Sequence, residues 1–325
     1  MSSICIATTH ERAIGAAMRQ SEDGAGGWGD LRFWLNDPDC DAVFVLDDAP
    51  AGFVTRAPRE RRALVVTEPP DFRAYPKKFL AQFGTVLAPF EFDAGAPLIK
   101  TQTALNWWYG LAPEGGGPAL TLHDLRALRP AEKQPVLSVV CSGKRGLAKH
   151  RARLAFLDFL QARMGERLRV FGRGFEPVAD KAQAIAPHQY HLVLENNDLG
   201  SFWTEKLADA FLGWSLPFFS GGPNVAADFP AGALVPIDIA SPDEALRRIL
   251  NAMESGQYEK RLPLIEAARA RVLEEHNLFA LLSRHAADLP PGRLDAPEHI
   301  QQAFGQGWLA GLRLRVRRNF YARKK

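Results

Sequence analysis

The sequence predicts an α/β protein built from two units, each a parallel sheet with helices on its faces. Three observations carry that reading. The chain has 325 residues, room for about two domains at roughly 150 residues each. Continuous apolar runs rich in β-branched residues, 42–46 (AVFVL) and 63–67 (ALVVT), alternate with helical or Gly/Pro-rich stretches, as strands buried on both faces do. The alternation then restarts beyond residues 114–118 (EGGGP), which fit neither a helix nor a central strand, because glycine is entropically costly there and proline lacks a donor. Read as a linker rather than a surface loop, that segment separates residues 1–117 from 118–300, and 301–325 form a tail.

Taken in order, residues 4–7 are a first short strand, followed by the runs at 42–46 and 63–67. In the second unit 135–140 (PVLSVV) reads as a strand, and Leu154, Phe156, Leu157 and Leu160 fall at helical spacing after it. Residues 168–171 (LRVF) and 191–194 (HLVL) are strands that stop at loops, one at Gly172 and Gly174, the other at Glu195, Asn196 and Asn197. Thr204 suits the N-cap of a helix through Trp214. Residues 216–219 form a further strand closed by Ser-Gly-Gly-Pro, and 243–253 and 259–275 are helical.

Composition excludes several classes. With 46% hydrophobic and 24% charged residues, the chain is neither disordered nor collagen-like. Cys5, Cys40 and Cys141 lie far apart without zinc spacing, which predicts reduced thiols in a cytosol. No signal-peptide pattern and no apolar run of about 18 residues is present, so neither secretion nor a membrane span is expected. Asp37, Asp39 and Asp41 mimic a metal-binding Asp-x-Asp pair, but Pro38 marks a turn, and no metal is assigned to them.

The densest polar constellation is 194–207, LENNDLGSFWTEKL. It lies between a buried strand and a helix start, where free backbone amides favour an anion. Lys206, in the first turn, is badly placed for the helix dipole and well placed for a phosphate. The P-loop glycines are missing, so on residues alone this is either a phosphate or nucleotide site or a plain exposed helix start.

Residues 187–230 resemble the signature of the family 10 glycosyltransferases, the α-1,3/4-fucosyltransferases. The matching pieces are Tyr190, Leu192, Leu194-Glu195-Asn196, Thr204-Glu205-Lys206, Pro217, Gly221, Pro223 and Phe229-Pro230. Upstream, Arg153, Phe156 and Leu160 match the family's arginine helix, Phe171-Gly172 its turn, and Glu68-Pro69-Pro70 its amino-terminal acid motif. The resemblance implies a GT-B fold, two Rossmann-like domains facing a cleft, and inverting transfer of fucose from GDP-fucose to a glycan hydroxyl without a metal. It implies that Arg153 and Lys206 contact the diphosphate, that Glu195 and Asn196 line the nucleotide and sugar pocket, that Glu205 meets donor hydroxyls, and that Glu68 is the base. Three positions depart from the pattern: Leu194 replaces phenylalanine, residues 141–144 (CSGK) replace a Ser-Asn pair, and Pro69 replaces Ser or Asn. A GT-B enzyme using another nucleotide sugar, and a glycan- or lipid-binding protein on the same scaffold, are the competing readings.

The remaining candidates have plainer readings. Glu195 equally suits a helix cap, His188 and His191 suit packing, and the Trp107-Trp108-Tyr109 run suits a core better than an acceptor platform. Residues 311–325 carry seven bases and no acid, so the body holds the remaining 33 bases against all 37 acids. Apolar residues recur through 304–320 between the arginines, which predicts an amphipathic helix at an anionic membrane surface, on the inner face of the cytoplasmic membrane; a frayed, solvated end is the alternative. No nucleic-acid module accompanies the charge.

Overall fold

The computed structural model describes residues 2–70, 73–102, 106–111 and 119–303. The expected linker at 114–118 and residues 304–325 of the tail lie outside them. The first unit runs β1 (Ser2–Ala7), α1 (Glu11–Ala17), β2 (Gly27–Trp28), β3 (Leu31–Leu35), β4 (Ala42–Leu46), β5 (Val54–Thr55), β6 (Arg62–Val65), α2 (Lys77–Leu80), β7 (Thr85–Ala88) and β8 (Leu98–Lys100). The second runs α3 (Leu122–Ala127), β9 (Gln134–Val140), α4 (Ala148–Met164), β10 (Leu168–Phe171), α5 (Lys181–Ile185), β11 (His188–Leu194), α6 (Glu205–Leu212), β12 (Leu216–Ser220), β13 (Val235–Pro236), α7 (Pro242–Glu254) and α8 (Gln257–Glu274). Two last elements follow, α9 (Leu278–Ala287) and β14 (Glu298–His299).

One sheet has the order β2-β3-β1-β4-β6-β7-β8, parallel except for β2 against β3. The other, β10-β9-β11-β12-β13, is wholly parallel. In the first sheet successive residues enter opposite cores: Ile4, Ile6, Ala42, Phe44 and Leu46 face one, and Cys5, Ala7, Val43 and Val45 the other. Two buried faces are the reason these strands read as unbroken apolar runs. The second unit has one large core, which also takes Trp107 and Tyr109, so that aromatic run serves packing.

The carboxy-terminal end departs from the expected 118–300 span. Leu278, Phe279, Leu281 and Leu282 of α9 pack into the Ile4/Phe44 core of the first sheet. Glu298 and His299 pair antiparallel with Thr55 and Val54, and Arg62 donates to Glu298. The physical cause is the face of the first sheet that α1 covers only in part, with Ile14 and Ala17; α9 returns to complete that core. No described helix is long and apolar enough to cross a membrane.

Candidate active site

In folds of this kind ligands bind in the cleft beyond the carboxyl ends of the parallel strands. On the second unit, β11 delivers Glu195 and the chain turns into α6 through Thr204. Glu195 is 2% exposed. Its Oε1 accepts from the Thr204 amide at 2.9 Å and the Thr204 hydroxyl at 2.7 Å, and its Oε2 accepts from Lys206 Nζ at 3.2 Å. Lys206 also donates to Thr204 Oγ1 at 2.9 Å and lies 3.5 Å from Glu205. Burial works against its charge, but Glu195 and Glu205 outweigh that and hold its pKa above the ordinary value. The Lys206 ammonium is therefore fixed in place before any ligand arrives, which saves ordering entropy.

Glu205 lies between two ammonium groups, Lys206 and, at 3.7 Å, Lys181. Burial opposes its ionisation, yet the two lysines win and bring its carboxyl down to about 2. It is an acceptor for hydroxyls at any ordinary pH. Beside it, buried Arg153 of α4 donates to the Leu194 carbonyl at 3.3 Å and to Asn196 Oδ1, while its Nε has no partner. Gly221 makes this closeness possible, since a Cβ there would meet Phe219 at 2.7 Å and Glu195 at 3.0 Å.

On the first unit Glu68 follows β6. Protein surrounds it without covering it: the residue is exposed to solvent, yet desolvation is the first cause raising its pKa, ahead of Asp47. Glu205 pushes the same way, and Arg73 and Lys206 oppose. The charges of Glu205 and Lys206 at the start of α6 thus act on Glu68.

No protein-family model and no curated protein matches the chain. Among solved structures, an α-glucosyltransferase in complex with UDP and a 13-mer DNA is similar at 9% identity and a TM-score of 0.53, covering 89% of this chain and 99% of that one. A UDP-forming α,α-trehalose-phosphate synthase from Burkholderia vietnamiensis is similar at 11% identity and a TM-score of 0.51, over 89% and 97% of the two chains. The chain has the GT-B fold. An α1,3-fucosyltransferase with GDP-fucose overlaps less well, with 18% identity and a TM-score of 0.48 over 80% of this chain and 81% of that one.

Within this GT-B frame the structure brings Arg153, Asn196, Glu205 and Lys206 together beyond the carboxyl end of β11 and places Glu68 beyond β6 of the other sheet. Glu195 differs from expectation: it sits behind Lys206 rather than lining the pocket, because both its oxygens are spent on the helix start. His188 and His191 pack, the latter accepting or donating at Ser138 at 2.8 Å and lowered to about 3 by burial. Asp41 is held by Ser3 and Asp37 by the Asp39 amide. Sequence reasoning missed Lys181 and Asp209. Asp209 is 1% exposed, accepts from Lys181 at 2.7 Å, and accepts at 2.9 Å from both the Trp108 and Tyr109 amides. An acid four residues after Glu205, amid the apolar 207–214 run, was the available signal; Lys181 had none.

Proposed function

We propose that the chain is an inverting glycosyltransferase that moves fucose from GDP-fucose to a hydroxyl of a glycan acceptor, such as a surface polysaccharide or lipopolysaccharide intermediate. One observation carries the reading: Lys206 is held in place beyond β11 by Glu195 and Thr204, and its charge acts on Glu68, a carboxylate of raised pKa beyond β6. The motif matches at 187–230 supply the choice of fucose.

In this reading the acceptor oxygen forms its bond to the anomeric carbon as the bond from that carbon to the diphosphate breaks. The electron pair leaves on GDP, and the acceptor proton passes to Glu68. Lys206 and Arg153 stabilise the charge that grows on the diphosphate. Glu205 accepts hydrogen bonds from donor hydroxyls, Asn196 orients Arg153, and Glu195 holds Lys206.

The test is a transfer assay with GDP-fucose, other GDP-sugars and UDP-sugars against galactose- and N-acetylglucosamine-containing acceptors. Absence of a preference for GDP-fucose overturns the donor, and no transfer from any donor overturns the enzyme. Glu68→Gln should keep GDP affinity while kcat falls about 100-fold or more; a nearly normal rate removes Glu68 as base. Residues 311–325 are assigned to an anionic membrane surface, so their deletion should release the protein from anionic vesicles and spare GDP binding. Unchanged vesicle binding refutes the assignment.

A further inference from the structure

We propose that Asp47 is the positioning residue for Glu68, fixing the segment that carries it and setting a second negative charge behind it. The proposal rests on the reading of Glu68 as base. Asp47 directly follows β4, which lies next to β6 in the sheet, and is 2% exposed. Its own amide donates to the Val65 carbonyl at 3.0 Å. Its Oδ1 accepts from the Thr67 amide at 2.8 Å and from the Tyr75 hydroxyl at 2.6 Å, and its Oδ2 accepts from the Thr67 hydroxyl. One carboxylate thus gathers three donors from residues on both sides of Glu68 in the chain.

The backbone there is left-handed, with φ of 60°, a region that Asp and Asn enter more readily than other non-glycine residues. Nothing in the donor cluster uses Asp47. Its side chain is spent on the segment after β6, and that segment's exposed product is Glu68. Among the described residues the charged groups acting on Glu68 are Asp47 just after β4, Arg73 on its own segment, and Glu205 and Lys206 of α6; Tyr75, its phenol pushed up by burial and by Asp47, is the remaining titratable neighbour. Asp47 and Glu205 raise Glu68 and the two cations lower it. A base so placed is held at one distance from its acceptor and takes a proton more readily once ionised.

Asp47→Asn separates charge from shape. The amide oxygen keeps the Thr67 amide and Tyr75 hydroxyl, its NH2 can donate to Thr67 Oγ1, and the left-handed backbone is tolerated. The acid limb of kcat/KM against pH should move to lower pH, with plateau kcat about 3- to 10-fold lower and KM for GDP-fucose unchanged. Asp47→Ala should lower kcat about 100-fold with GDP affinity retained, GDP binding itself reporting that the variant is folded. A wild-type acid limb in Asp47→Asn, together with an inactive Glu68→Gln, overturns the role of Asp47 and leaves Glu68 as base. The same Asp47→Asn loss of kcat in a Glu68→Gln background also overturns it, since the effect must run through Glu68. A nearly normal Glu68→Gln rate instead overturns the base, and with it the proposal.

Discussion

Lys206 and Glu195 are bound to each other so closely that neither has a role alone. The acid caps α6 through Thr204 and holds the ammonium, and the ammonium neutralises an acid that has no access to water. Glu205 adds a pH signature. Its folded carboxyl titrates at about 2 against an ordinary value of 4.5, so the stability it contributes is complete above 4.5 and is lost as pH falls through about 2. Glu205→Gln should therefore flatten the decline of the urea midpoint between pH 4.5 and 2; an unaltered decline shows that other groups govern acid unfolding. At this scale the residue types of 195–206 were legible, because a strand end and a helix start converge on them. The direction of Glu195 was not: a cap and a pocket wall use the same side chain, and only the position of Thr204 above it decides.

The long apolar runs of both units followed their patterns closely, with residues 42–46 matching β4 and 168–171 matching β10. Strands β3, β7 and β8 went unread, since β3 mixes Arg32 and exposed Trp34 with buried Phe33 and β7 and β8 are only four and three residues long. At the level of elements the unexpected result is the grip on residues 107–110. Arg19 of the first unit donates to the Trp107 carbonyl at 2.8 Å and the Tyr109 carbonyl at 3.1 Å, while Asp209 and Asp180 of the second accept from the amides of Trp108, Tyr109 and Gly110. Because Lys181 touches both Asp209 and Glu205, helix α6 joins the candidate donor site to this crossing. Asp209→Ala should cost about 2–4 kcal/mol, from two abandoned amides and a lysine left with Glu205 alone. Amide exchange at Trp108 and Tyr109 should rise in that variant while β11 stays protected. Equal exchange in both proteins would mean that Arg19, Asp180 and Gln20, whose Oε1 accepts from the Trp107 amide at 3.0 Å, hold the crossing without Asp209.

For the molecule as a whole, two α/β units were legible from length and alternation, but the exchange of the chain's end was not, because a helix that covers a distant sheet has the same apolar face as one that covers its neighbour. The return has a measurable weight. Leu278, Phe279, Leu281 and Leu282 are each fully buried, and such side chains contribute roughly 1.5–3 kcal/mol apiece, together comparable with the roughly 5–15 kcal/mol of a whole domain. A chain ended at residue 277 should lose the first unit, seen as apolar-dye binding and protease sensitivity within residues 2–100, whereas one ended at 303 should stay folded. Protection of 2–100 in the shorter chain would show that α9 is dispensable.

That return also sets an order of events during synthesis. The first sheet leaves the ribosome early, but the helix that completes its Ile4/Phe44 face is encoded more than two hundred residues later. Residues 119–277 can close their core while translation is still under way, because nothing beyond α8 enters it. The amino-terminal half must wait, partly uncovered, until α9 emerges. Of these two units, the one translated second is able to finish folding first, and the half that carries Glu68 is completed only after it.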